Sequence, residues 1–157
     1  MPAECLGHNL PTSLTEVRQV WLEIVATDDQ GRELLRSGTL DEKTNNLPKS
    51  TTIFNATAVD KNGKHTEFPW EIVRFTTTNT IEPRGYKKVN YALNLFPDSQ
   101  SVTIKATLHY RSFSQKLADF LLGKGKVAVP NVEMVNLEKH YKVSNQKIVD
   151  ESQTDEH

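Results

Sequence analysis

The chain is short of the residues that carry most recognisable chemistry. Among its 157 residues there is one cysteine, Cys5. No internal disulfide can form, no pair of thiolates can hold a zinc ion, and no Cys-x-x-Cys-His is present to attach a c-type haem. Cys5-Leu6-Gly7-His8 brings a thiol near an imidazole, but Gly7 stands where haem attachment needs a cysteine, so Cys5 reads as a free thiol. Long apolar runs are also missing. Nothing approaches the roughly 20 residues needed to span a bilayer. Met1-Pro2-Ala3-Glu4-Cys5 lacks the basic start and apolar stretch of a secretory signal. Taken by itself, the chain is therefore expected in the cytoplasm, an expectation that lapses if it is a fragment of a longer one. Charge of one sign is missing too. With 19 basic and 20 acidic side chains the net charge is -1, so no field steers the chain to nucleic acid or an anionic membrane.

Catalytic signatures are equally scarce. No serine or cysteine sits in a recognisable nucleophile turn, and Gly123-Lys124-Gly125-Lys126 lacks phosphate-loop spacing. The histidines His8, His65, His109, His140 and His157 show no zinc-like spacing. His65 lies beside the Asn62-Gly63 turn, His109 falls on the polar side of an alternating run, and His140 is near the polar end; all three read as surface residues. Glu16, Glu23, Glu67 and Glu71 could pair as carboxylates, but sequence gives no pocket to place them around. Trp21, Trp70, Tyr86, Tyr91 and Tyr110 suit either a ligand face or a sandwich core. The chain is read as not an enzyme.

What is present is β-patterning. Val20, Leu22, Ile24 and Ala26 alternate with Trp21, Glu23, Val25 and Thr27, and Asp28-Asp29-Gln30-Gly31 supplies a turn before Arg32 to Ser37 returns. Thr51 to Val59 reads as a third strand and Asp60-Lys61-Asn62-Gly63 as a second turn. Phe68 to Thr77 reads as a fourth strand with an irregular or edge start at Pro69. Val89, Tyr91, Leu93 and Leu95 line a fifth. Val102, Ile104, Ala106, Leu108 and Tyr110 form the cleanest alternation, with Thr103, Lys105, Thr107, His109 and Arg111 facing solvent. A helix follows, with Ser112 and Gln115 at capping-box spacing, a stripe of Phe113, Leu117, Phe120 and Leu121, and Gly123 beyond its end. The stripe is expected to cover an open end of the sheets. The pattern predicts an all-β antiparallel sandwich over residues 1–141, one short helix after the last main strand, and a disordered polar tail over 142–157.

His8 stands apart from the other histidines. It lies between Gly7 and the restricted Asn9-Leu10-Pro11 segment, so its backbone is partly preset. Such an imidazole suits an axial ligand to haem iron, or a loop histidine bonded to backbone.

Gly7-His8-x-Leu10-Pro11-Thr12, leading into Arg18-x-x-Trp21-Leu22, resembles the opening of the C-terminal β-domain of multihaem c-type cytochromes. The resemblance continues in order through Ser37-Gly38-x-Leu40, Asn79-x-Ile81-x-Pro83-x-Gly85 and Ala106-x-Leu108-x-Tyr110-Arg111 with its helix, over roughly residues 7–137. It implies a non-catalytic domain that supports electron transfer by packing against haems. It implies that haem-attachment motifs precede the domain, and that His8 stands where a ligand to one of those haems belongs. On that basis the chain binds no covalent haem itself, and its haem comes from a partner multihaem domain or subunit. The resemblance also implies a periplasmic or extracellular setting, and either a truncated or split gene or a separate subunit. The rival reading is a free-standing sandwich module that binds protein or carbohydrate.

Overall fold

The computed structural model describes residues 7–145 and 147–149. Its strands in chain order are β1 (Gln19–Asp28), β2 (Glu33–Ser37), β3 (Ile53–Phe54), β4 (Ala56–Val59), β5 (His65–Thr66), β6 (Arg74–Thr78), β7 (Ser101–Arg111), β8 (Val132–Ser144) and β9 (Lys147–Val149). A 3₁₀ turn (Pro69–Glu71) precedes β6, and helix α1 (Gln115–Leu122) follows β7. The strands form two antiparallel sheets, one in the order β2-β1-β7-β8-β9 with β3 also on β1, the other in the order β5-β4-β6. This is the all-β, sandwich-like architecture with one helix that the patterning predicts.

The large sheet is organised by β1 and β7, paired from Gln19 opposite Arg111 to Asp28 opposite Val102. The other edge of β1 is shared, with β3 beside Val20 and Trp21 and β2 beside Ile24 to Thr27. The core face holds Val20, Ile24 and Ala26 from β1, Val102 from β7 and Leu34 from β2, all buried. Leu93 and Leu95 pack over Ala26, Leu34 and Val102.

Several expectations need correction. The third predicted strand is two. Ile53–Phe54 joins the large sheet and Ala56–Val59 the small one, with the switch at Asn55. Asn79 fixes that switch, because its backbone N–H bonds Asn55 O at 2.8 Å and its amide bonds Ile53 O at 2.8 Å. The predicted fourth strand starts late, since Pro69 opens a 3₁₀ turn and only Arg74–Thr78 is in a ladder. The fifth, Val89 to Leu95, is no strand. Its side chains alternate between half-buried and exposed, as expected, but its backbone pairs with no sheet.

The helix is capped by Ser114, whose Oγ accepts from Leu117 N–H at 3.0 Å, and not by Ser112. Its stripe is split. Leu117 is buried, but Phe120 and Leu121 are exposed. The predicted tail is wrong over its first part, because β8 runs to Ser144 and β9 returns on it over Lys147–Val149. Residues 150–157 lie outside the described residues.

The alternation pattern does not predict β8. Leu108 pairs with Val135 and His109 with Glu133, so Met134 is an extra residue in the strand. This bulge moves Val135, Leu137 and Tyr141 onto the side of Leu108, Ala106 and Val102, together with Val132 opposite Tyr110. That side of β8 is uncovered. Val132, Val135 and Leu137 are 57%, 49% and 55% exposed.

Candidate functional site

The Gly7–Thr12 loop is pinned on the C-terminal side of His8. Asn9 Nδ2 donates to Thr80 Oγ1 at 3.2 Å. Leu10 and Ile81 exchange both backbone hydrogen bonds, at 2.8 and 2.9 Å. Pro11 is buried. His8 itself is exposed, and neither ring nitrogen bonds any described residue. The loop thus holds a free imidazole on a fixed base. An imidazole in this state fits an axial ligand to iron carried elsewhere. Cys5 lies outside the described residues.

The remaining motif residues turn inward and grip one another. Trp21 Nε1 donates to Gly38 O at 2.9 Å across the β1–β2 hairpin. Gly38 has φ 81°, and a Cβ there would meet Leu22 O at 2.3 Å, so only glycine fits. Arg18 donates to the Tyr110 hydroxyl. Arg111, 2% exposed, lies 5.5 Å from the Trp21 ring, and it donates to Gln19 Oε1 at 2.6 Å and Asn45 O at 2.7 Å. Burial pushes its guanidinium down to about 10, with Glu67 opposing, so it stays charged at neutral pH.

His109 corrects the one-face-wet reading of β7. It is 8% exposed and stacks on Trp21 at 5.0 Å. Its Nε2 donates to Glu23 Oε2 at 2.7 Å, and Asn131 Nδ2 donates to its Nδ1 at 3.3 Å. Thr39 donates to the other Glu23 oxygen at 2.7 Å. Both ring nitrogens are engaged, so this histidine–carboxylate pair holds the fold and has no nitrogen left for substrate. His109 and Arg111 are buried because the segment after β2 and the one after α1 cover this end of the polar side. Asn45 reaches Gln115 and Val129 O at 2.8 and 2.9 Å, closing that cover. The core side is less buried than expected, with Val102 enclosed but Ile104, Ala106, Leu108 and Tyr110 half-exposed.

The proposed carboxylate pairs do not form. Glu23 serves His109, Glu67 pairs with Lys116 at 3.2 Å, and Glu71 accepts from Thr66 at 2.7 Å. Among the described residues no group of histidine, cysteine, aspartate or glutamate could hold a metal ion. No described helix is long and apolar enough to cross a membrane. Trp70, whose side chain the sequence left undecided, is 57% exposed.

No protein-family model and no curated protein matches the chain. Among solved structures, a penta-haem cytochrome c552 from Thermochromatium tepidum is similar, with a TM-score of 0.60 and 17% identity over 85% of this chain. The match takes in 32% of that protein, so this chain spans about a third of its length. At that identity the likeness is one of fold.

Proposed function

We propose that this chain is the β-domain of a multihaem c-type cytochrome assembly, a non-catalytic part that supports electron transfer by packing against haems carried on another segment or chain. The observation that carries the reading is the Gly7–Thr12 loop. Asn9, Leu10 and Pro11 are committed to the domain, while His8 is exposed with both ring nitrogens unengaged. An outward imidazole with both nitrogens free, on a backbone held from Asn9 onward, is what a haem iron supplied by a partner could take as a ligand. The fold likeness to part of a penta-haem cytochrome supports the same reading. So does the uncovered side of β8, because an apolar patch of this kind suits a protein interface. In this reading Val132, Val135 and Leu137 pack on the haem-bearing segment.

With one cysteine the chain has no paired thiols for covalent attachment, so the haem would be the partner's. His8 would hold its iron as an axial ligand, and the haem would supply the redox chemistry. The chain's own part is to orient that imidazole and to shield the haem edge from water. By the same reading the assembly is periplasmic or extracellular.

Two steps test this. Expressed alone with haem-maturation enzymes, the chain should be colourless. The DNA flanking its coding region should encode a segment with repeated Cys-x-x-Cys-His, and that segment should co-purify with the chain as a red complex. Flanking DNA without such codons, or a haem segment that ignores the chain, would overturn the proposal.

A further inference from the structure

The small sheet carries a cleft that the haem reading does not use. The turn Asp60–Gly63 and the 3₁₀ turn Pro69–Glu71 border a cavity of about 430 Å³ lined by Asp60, Lys61, Asn62, Trp70, Glu71 and Val73. One wall is a braced indole. Phe68 stacks on Trp70 with centroids 5.4 Å apart and planes 19° from parallel. Phe120 lies 5.8 Å from Trp70 and 4.9 Å from Phe68. Two rings on opposite sides of an indole would be roughly 10 Å apart, the sum of two stacking distances. Phe68 and Phe120 therefore do not sandwich Trp70 between them, and the indole keeps 57% of its surface exposed beside the cleft.

The polar walls are braced as well. Asp60 Oδ1 accepts from the backbone N–H of Asn62 at 2.8 Å and of Lys64 at 2.9 Å. Thr66 Oγ1 donates to Glu71 Oε2 at 2.7 Å. Val73 N–H bonds Val59 O at 3.0 Å, which ties the strand after the 3₁₀ turn back to β4. These bonds leave Asp60 Oδ2, Glu71 Oε1, the Asn62 amide and the Lys61 ammonium without a partner among the described residues. An exposed aromatic face thus stands beside two held carboxylates, with the Asn62 amide and the Lys61 ammonium free to reach a ligand.

The lining selects a class of ligand. An anion would meet two carboxylates. A cation would find one aromatic face where a cage needs several, with the Lys61 ammonium beside it. A wholly apolar ligand would strip water from the polar groups with nothing in return. A sugar ring matches on both counts, with an apolar C–H face and a rim of hydroxyls that each donate and accept.

We infer that this cleft binds a neutral sugar ring, seated on the exposed face of Trp70 with its hydroxyls on Asp60, Lys61, Asn62 and Glu71. The site uses different residues from the His8 loop and does not depend on the haem reading.

The test is calorimetric titration of the full chain with cellotetraose, N-acetylchitotetraose, maltotetraose and xylotetraose, followed also by the indole N–H resonances. At least one sugar should bind saturably and shift the Trp70 resonance while leaving that of buried Trp21 in place. Trp70→Ala should weaken that binding at least tenfold and Asn62→Ala at least threefold, both variants keeping the Trp21 resonance of the folded domain. Absence of saturable binding to all four sugars would overturn the inference. So would binding unchanged in Trp70→Ala, or a cleft that takes up tetramethylammonium in place of sugar.

Discussion

Gly38 is the residue on which the β1–β2 hairpin closes. Its φ of 81° and the 2.3 Å that separate a would-be Cβ from Leu22 O leave no room for a side chain. Gly38→Ala should cost roughly 2–4 kcal/mol in urea unfolding, from the strained φ and the backbone clash together. Arg111→Lys is not conservative either. A lysine cannot serve both Gln19 Oε1 and Asn45 O in that geometry or lie flat near Trp21. The loss should be about 2–3 kcal/mol. Asp28 is one of the carboxylates that give the fold its acid limit, with Asp29, Asp41, Asp98 and Asp119 lowered in the same sense. Burial acts to raise its carboxyl, but the Arg32 N–H and guanidinium, the Gln30 N–H and the Ser99 hydroxyl together hold it below the ordinary 3.8. A carboxyl depressed in the fold stabilises fully above its unfolded value and loses that contribution as pH falls through the folded one. Stability should therefore drop below about pH 4, and Asp28→Asn should make that drop shallower without removing it. Trp21, Gly38 and Arg111 were legible as pattern, but their purpose was not. The bond from Trp21 to Gly38 joins positions 17 apart, and Arg111 reaches Gln19 across 92. His109 was misread for a related reason. Alternation marks the two sides of a strand but is blind to what later segments lay over each.

β1 and β7, with steady period-two alternation, were readable from the chain because their side chains obey the pleat, and β2 was readable from the Asp28–Gly31 turn before it. Elements that break the period were not. Asn55 lets one β-branched run serve two sheets, held there by Asn79 from 24 residues further on, which no local window contains. The run Val89 to Leu95 alternates because one side rests on the core, but its backbone lies outside both ladders, so burial imitated a strand. β8 was hidden by its bulge, which puts Val132 and Val135 on one side at a spacing of three, off the period of two that marks a strand. The cap of α1 gives a clean test of the corrected boundary. Ser114→Ala should cost about 1 kcal/mol by removing the bond to Leu117 N–H, while Ser112→Ala should be nearly silent. Equal losses in thermal unfolding would return the helix start to Ser112.

At the scale of the whole molecule, the domain holds itself together and leaves particular surfaces bare. The motif residues that turn inward, Trp21 with Gly38, Leu10 with Ile81 and Arg18 with Tyr110, close the first hairpin and tie the N-terminal part of the described fold to later segments. Among what they leave outside are His8 and the apolar side of β8. Leu137→Asp should leave the domain within about 0.5 kcal/mol of wild type, as exposed positions do, yet abolish co-purification with the haem-bearing segment. The central claim, that His8 is a ligand for a haem held elsewhere, has a direct measurement. The chain is titrated into a c-type haem peptide that carries one histidine ligand and one open axial site, and the iron spin state is followed by optical and electron paramagnetic resonance spectra. Wild type and His65→Ala should convert the iron to the low-spin bis-histidine form at the same chain concentration, and His8→Ala should need at least tenfold more. Conversion by His8→Ala as readily as by wild type would contradict the assignment and leave His8 an ordinary surface residue.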